Sequence, residues 1–414
     1  MPFDNATYPV VMRIARQNIM PYLLELSLYA AVTMLTFSEN ICNVCLLVAT
    51  GASLVIFATD RIFSRTLALA PLIVFFVFAL SFLNSDDIRN AFAKFELWSS
   101  YLFIPMIFGF AGHVITERIV NNATRIFSGV IILACFVSYG RIVLVSGQFW
   151  PSDDGQQYTY HDPFSRFAFS DFLRIHPVYL SMYIILVVVV VFNTPRLHIL
   201  LRMALLFALA FFLMILSSKN QVLVFLIVLF VVLWRYLKIG FKLKLAVMLA
   251  VMAVVITVGI RDKQLQYRFK NEAAVAFGER IFLWSTGAEI IAQHPVFGVG
   301  IGDKDATLLT ALKAKEPSWD KNHNLHNQYL DFAMAFGVIG LLVFGGLLAL
   351  PFLMRVDFTF MLFLLIIATS AFTETILYRH KGMVFFLVFY GLLGSRYALA
   401  SPWRFGISGV KKPA

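Results

Sequence analysis

Long apolar runs, repeated along almost the whole chain, decide what this sequence can fold into. In a hydrocarbon core every backbone N–H and C=O has to be paired within the segment itself. A continuous apolar run of about 20 residues therefore reads as a membrane-crossing helix. Leu180–Phe192 and Val222–Trp234 contain no charge at all. Twelve runs lie near 19–35, 41–59, 66–83, 97–112, 125–146, 175–192, 199–217, 220–236, 243–260, 330–353, 357–373 and 382–400. A β-barrel would alternate over strands of about 10 residues, and these runs do not alternate. The pattern predicts an all-α polytopic membrane protein with about 12 transmembrane helices, residues 1–414 forming a single integral membrane domain. No internal repeat of fixed period suggests a repeat-built transporter.

Composition agrees. Only 14% of residues are charged and 60% are hydrophobic, against about 25% charged in soluble domains. Soluble enzymes, nucleic-acid binders and disordered scaffolds are excluded. Three cysteines cannot support a secreted disulfide framework. Cys42-Asn43-Val44-Cys45 has zinc-like spacing without a second ligand pair, and reads as an apolar structural pair. No cleavable signal pattern opens the chain, so the first apolar run is expected to stay in the mature protein.

Charge sets the orientation. With the N-terminus in the cytoplasm, the inside segments hold 17 of the 34 Lys and Arg residues but only four of the 23 Asp and Glu. The positive-inside rule then predicts cytoplasmic N- and C-termini and an even number of spans. The net charge of +11 reflects topology and anionic headgroups rather than nucleic acid. Two outer segments, 147–174 and 261–329, are too long for simple turns and are expected to cover a site. The second contains an amphipathic helix over 279–293, bracketed by Gly278 and His294-Pro295.

The candidate residues gather on that outer side. His326 lies directly before the tenth run, in Leu325-His326-Asn327. With an ordinary pKa near ~6.5, a histidine can take a proton from a hydroxyl; it reads equally as an interfacial, hydrogen-bonded loop residue. Arg280 opens the amphipathic helix, with Trp284 on the same face. It is either a surface charge or a cation that can grip phosphate with two parallel donors. Arg174 stands before the sixth run, where an interfacial arginine is the plain reading, and His176-Pro177 reads as a helix start. Lys219 sits in a short outer turn, and Glu374, Arg379, His380 and Lys381 share another. Ionisable groups at this depth are functional candidates. Glu25, inside the first run, has no evident role. Asp86-Asp87 and Asp153-Asp154 lack a nearby ligand set for a divalent cation. Gly298-Val299-Gly300-Ile301-Gly302 lacks the Lys-Ser/Thr of a phosphate loop and reads as a tight turn.

Taken in order, these pieces resemble the O-antigen ligase and polymerase superfamily of bacterial membrane glycosyltransferases. The resemblance covers roughly residues 120–395. It rests on Arg174 before a proline-containing span, Ser218-Lys219 between two spans, Arg280-x-x-x-Trp284, then His294-Pro295 through Gly300. It ends with His326-Asn327 before Gly337-x-x-Gly340. Lys219 stands where many members carry Arg, which keeps the charge and removes bidentate phosphate binding.

The resemblance implies a GT-C-like enzyme of lipopolysaccharide biosynthesis in the bacterial inner membrane, with its active site on the periplasmic side. Its donor would be a glycan on undecaprenyl pyrophosphate and its acceptor lipid A–core, with no metal, ATP or other cofactor. It further implies His326 as general base. Arg174, Arg280 and, more weakly, Lys219 would face the pyrophosphate. Asn327, His176, Glu374, Arg379 and Trp284 would support them. The ligase reading leads, with an O-antigen or exopolysaccharide polymerase and a polysaccharide or lipid transporter as alternatives.

Overall fold

A computed structural model describes residues 7–147, 149, 166–216, 218–236, 240–261, 273–319 and 324–404. Each of the twelve apolar runs falls on helix. Five stretches are long and apolar enough to cross a membrane: Ile19–Phe37, Glu39–Asp60, Leu67–Asn84, Glu117–Ser146 and Gln328–Leu353. Six shorter apolar helices accompany them: Ser100–Ala111, Pro177–Asn193, Ile199–Ile215, Asn220–Tyr236, Phe358–Ala371 and His380–Gly394. Phe241–Arg261 adds another apolar helix. The chain is an all-α membrane protein. A two-residue antiparallel ribbon, Ile62–Phe63 with Trp403–Arg404, was not foreseen.

In chain order the helices are α1 (Thr7–Phe37), α2 (Glu39–Asp60), α3 (Leu72–Ser81), α4 (Ile88–Ala93), α5 (Phe95–Trp98), α6 (Ser100–Ala111), α7 (Glu117–Ser146), α8 (Arg166–Asp171) and α9 (Pro177–Asn193). Then come α10 (Ile199–Ile215), α11 (Lys219–Tyr236), α12 (Phe241–Arg261), α13 (Ala273–Gln293), α14 (Lys304–Lys315), α15 (Gln328–Leu353), α16 (Phe358–Ala371) and α17 (His380–Gly394).

Two helices are buried on all sides. Every residue of α9 from Pro177 to Phe192 and of α17 from Lys381 to Gly394 is inside. Enclosed in this way, they take the centre of the bundle. Their N-terminal ends touch. Tyr183 Oη donates to Lys381 O at 2.8 Å, and the ring of Tyr179 lies where a Cβ on Gly382 would sit, 2.7 Å from Tyr179 Cε1.

The segment 261–329 is more structured than its polarity suggests. The amphipathic helix begins at Ala273, earlier than expected, so Gly278 does not start it. No contact restricts a Cβ at Gly278, and the flanking alanines and valine carry the helix through it. Its end at Gln293 is as expected. α14 was not foreseen. Leu283 and Ile290 of α13, Leu308 and Leu312 of α14, and Val299, Leu325 and Met334 form a small separate core.

That core is stitched to the bundle through a broken helix. Gly337, at φ 64° and ψ −156°, interrupts α15. A Cβ there would lie 2.2 Å from Val296 O. The lost helical bonds are replaced across the break. Val338 N–H donates to Pro295 O at 2.8 Å, Val299 N–H to Met334 O at 2.9 Å, and Gly300 N–H to Ala335 O at 3.1 Å. The Gly-rich segment is a turn, as its sequence suggests, but one bonded into a helix. Asn84 Nδ2 donates to Gly298 O at 2.6 Å, and Lys94 Nζ to Ile301 O at 2.8 Å.

A buried charge network holds the same region. Lys304, 1% exposed, pairs with Asp331 at 2.6 Å, and its ammonium lies 4.0 Å from the ring centre of Tyr378. Lys94 pairs with Asp305 at 2.9 Å, and Tyr378 Oη donates to Asp305 at 2.9 Å. Burial pushes the Asp305 carboxyl up. Lys304, Lys94 and the two donated bonds outweigh that and hold it below the usual value. Burial, followed by the charges of Asp305 and Asp331, pushes the Tyr378 phenol up. The depressed Asp305 value means its contribution to stability is present above the ordinary Asp range and fades as pH falls through the lower folded value. Elsewhere, Glu25 is accounted for: it pairs with Arg118 at 3.0 Å and accepts from Tyr29 Oη at 2.8 Å. Cys42, Cys45 and Cys135 are free thiols.

Lys304→Ala should strip a buried carboxylate of its partner and cost about 3–5 kcal/mol, read as a lower unfolding temperature of the purified protein. Lys304→Met with Asp331→Leu should recover most of the loss. A double variant no better than the single one would contradict the pairing.

Candidate functional site

The site is built where α13, the turn before α15 and the turn after α16 meet. His326 has φ 45°, the left-handed region, which costs a non-glycine residue of order 1–3 kcal/mol and persists only where the surroundings enforce it. They do so on both sides. Asn324 Oδ1 accepts from His326 N–H at 2.9 Å. Trp284 Nε1 donates to Leu325 O at 2.8 Å. Asn327 caps α15, its Oδ1 accepting from Tyr329 N–H at 3.0 Å and Leu330 N–H at 3.2 Å. Leu325 packs onto Gly287, where a Cβ would lie 2.8 Å from its methyl carbon. Arg280, Trp284 and Gly287 follow helical spacing, so one face of α13 both grips the chain before His326 and presents Arg280.

Glu374 joins these elements. Its Oε2 lies 3.1 Å from His326 Nδ1 and its Oε1 lies 3.7 Å from Arg280 Nη2. The side chains of Arg280, Glu374 and His326 are 34%, 22% and 32% exposed; they are reachable from outside yet partly dehydrated. Glu374 follows the C-terminal turn of α16, its N–H donating to Ser370 O at 3.2 Å. Beyond it, Gln328 Oε1 accepts from Leu377 N–H at 2.8 Å, tying the turn to the start of α15. A carboxylate can only accept, so a neutral His326 bonded to it carries its proton on Nδ1. Nε2 is then the nitrogen able to take a proton, and the carboxylate compensates the imidazolium that results.

Arg174 also has positive φ, 50°, in the turn that leads into α9. Its neighbour Leu173 accepts a bond from Lys381 Nζ at 3.1 Å through its carbonyl. Arg174 and Arg379 are both exposed and stand just before the adjoining N-terminal ends of α9 and α17. Among the described residues neither bonds to His326, Glu374 or Arg280. His176 is the N-cap of α9, its Nδ1 accepting from Val178 N–H at 3.4 Å. Lys219 opens α11, and its side chain lies outside the described residues. Asp153-Asp154 lie outside them as well. Asp87 caps α4, accepting from Asn90 N–H at 2.9 Å, and Asp303 accepts from Asp86 N–H and Asp87 N–H. Among the described residues no three of His, Cys, Asp or Glu converge as metal ligands.

Sequence reasoning placed Glu374 only in a supporting role, yet it is the residue that connects the other two. The charge network beside it was missed altogether. Its signal was Asp331, an ionisable residue in the first turn of an apolar run.

The comparisons with known proteins bear on this arrangement. Residues 203–345 match the family model described as O-antigen ligase. That segment, about a third of the chain, is thus similar to the O-antigen ligase family, in keeping with the order of its motifs. The matched segment holds Arg280, Trp284, the Gly-rich turn, His326, Asn327 and the Gly337 break. Glu374, Arg174 and Arg379 fall outside it and reach the same end of the bundle through the fold. No curated protein and no solved structure matches the chain.

Trp284→Phe keeps the ring and removes the bond to Leu325 O. Losing this partly buried bond should cost about 1 kcal/mol, read as a lower unfolding temperature of the purified protein. An unchanged unfolding temperature would show that this bond does not hold the chain before His326 in place.

Proposed function

We propose that this protein is an O-antigen ligase. It transfers a polysaccharide from undecaprenyl pyrophosphate to a sugar hydroxyl of lipid A–core at the periplasmic face of the inner membrane. Members of the matched family are glycosyltransferase-like enzymes of O-antigen assembly. The observation that supports this reading best is the carboxylate of Glu374 placed between His326 and Arg280, a base and a cation held side by side. In the proposed topology both termini are cytoplasmic, twelve helices span the membrane, and segments 147–174 and 261–329 cover the site from the periplasm.

The chemistry follows from those groups. His326 Nε2 takes the proton of the acceptor hydroxyl as its oxygen attacks the anomeric carbon. The bond from that carbon to the pyrophosphate oxygen breaks in line, which inverts the centre. Negative charge grows on the departing pyrophosphate, where Arg280 and Arg174, and more weakly Lys219, receive it, with Arg379 in support. One such donor in a partly dehydrated site is typically worth about 3–4 kcal/mol. Glu374 stabilises the imidazolium as it forms. A base and permanent cations supply both proton transfer and charge stabilisation, so the proposed reaction needs no metal ion, nucleotide or other cofactor.

His326→Ala should lower transfer by about 10²–10⁴-fold, the usual share of a general base, with protein in the membrane unchanged. Near-normal transfer would overturn the assignment. The family match serves ligase and polymerase alike, and the acceptor separates them. Deleting the gene should leave lipid A–core bare while full-length polymer accumulates on undecaprenyl pyrophosphate. Lipid A–core carrying a single repeat unit would identify a polymerase instead.

A further inference from the structure

The helices that carry the candidate site at one end carry a second polar pocket at the other. Arg174 precedes α9 and Asn193 ends it; Glu374 follows α16 and Asp357 caps its start. Arg379 precedes α17 and Arg396 follows it. A helix of 17 residues such as α9 separates the two ends by about 25 Å. Four elements close the pocket. Asn121, Thr124 and Arg125 come from the first turns of α7, Val190, Asn193 and Thr194 from the end of α9, Thr359 from the start of α16, and Leu393 and Arg396 from the end of α17. It holds about 360 Å³, its open mouth included.

The charges around this pocket do not balance. Arg396 pairs with Asp357 at 3.1 Å and donates to Asn121 Oδ1 at 2.7 Å. Its Nε is buried and has no hydrogen-bond partner. Arg202 donates to Thr194 O at 2.7 Å, and its Nε is likewise buried without one. Arg125 is exposed at the rim and has no acidic partner among the described residues. Two guanidinium groups, those of Arg125 and Arg396, thus line the pocket with one carboxylate beside them, while Arg202 backs its wall at Thr194 O. Asparagine and threonine side chains make up the rest of the polar wall; the Thr124 and Thr194 hydroxyls donate to Asn121 O and Val190 O, and Asn193 Nδ2 to Thr359 Oγ1, so the two arginines are the groups left to meet an oxyanion.

We infer that this pocket is a binding site for a phosphate group, gripped by Arg125 and Arg396 at the end of the bundle remote from His326. Guanidinium forks match phosphate oxygens with two parallel bonds. The group can be that of an anionic phospholipid, whose headgroup lies at the depth of helix ends, or free inorganic phosphate. This inference goes beyond the transfer reaction and does not depend on it.

The test uses the full-length purified protein and reads its unfolding temperature. One arm titrates inorganic phosphate in detergent, with chloride at matched ionic strength as control. The other compares nanodiscs of phosphatidylcholine with nanodiscs that also contain phosphatidylglycerol. Saturable stabilisation by phosphate identifies free phosphate as a ligand; stabilisation by phosphatidylglycerol alone identifies the lipid headgroup. Arg125→Gln should leave the ligand-free unfolding temperature unchanged, because Arg125 has no acidic partner in the fold. It should weaken binding about tenfold or more. Arg396→Gln should do the same and also lower the ligand-free temperature through loss of the Asp357 and Asn121 contacts. Wild-type protein indifferent to both probes, or Arg125→Gln binding as tightly as wild type, would overturn the site.

Discussion

A helix broken inside an apolar run leaves backbone groups with nowhere to bond, and in hydrocarbon each such group costs several kcal/mol. At Gly337 that cost is offset by borrowing another strand of chain. Val338 N–H, which an unbroken helix would direct to Met334 O, goes to Pro295 O instead. Met334 O and Ala335 O then accept from Val299 and Gly300. Left-handed φ at Gly298, Gly300 and Gly337 makes this approach possible, because a Cβ at any of them would overlap neighbouring atoms. The consequence is architectural. The polar segment that carries Arg280 is bonded into the body of α15 at Met334, Ala335 and Val338, beyond the His326 turn that opens it, and cannot shift without breaking those bonds.

From that fixed frame the site is positioned by layers of restraint. The small core of α13 and α14 orients the face that holds Trp284. Trp284 and Asn327 then fix the backbone on either side of His326. Glu374 arrives from the end of α16, on a turn tied to α15 by Gln328 and to α14 through Tyr378 and Asp305. The strained backbone at His326 is what such over-determination permits: an imidazole held where an ordinary loop would not hold it. Proximity of a base and a cation in a partly dehydrated niche is what the proposed transfer from a pyrophosphate carrier requires.

Much of this was legible in the sequence, and what was not has a common physical cause. Local pattern sufficed for the helices, because apolar run length and the His176-Pro177 and His294-Pro295 boundaries are properties of short windows. It also placed Arg280 and Trp284 on one face. It failed wherever partners are distant in the chain. The Gly298–Gly302 turn was visible as a turn, but its register against α15 is a pairing across some 35–40 residues that no window contains. Lys304 lies in a polar segment, and only the fold reveals that Asp331 and Tyr378 surround it. Glu374 was one of several charges in a turn, and nothing local distinguished it from Arg379 or Lys381. Glu25 had no reading until Arg118, on another helix, was brought beside it.

The most direct test of the central claim concerns one proton. If Glu374 orients His326 for catalysis, the neutral imidazole must carry its hydrogen on Nδ1, leaving Nε2 to act as the base. Nitrogen-15 NMR of histidine-labelled protein in lipid, with His326→Gln used to assign the signal, reads that tautomer. The account predicts an Nδ1–H imidazole in the wild-type protein and a mixture of tautomers in Glu374→Gln. A wild-type imidazole protonated on Nε2, or one indifferent to Glu374→Gln, would contradict it.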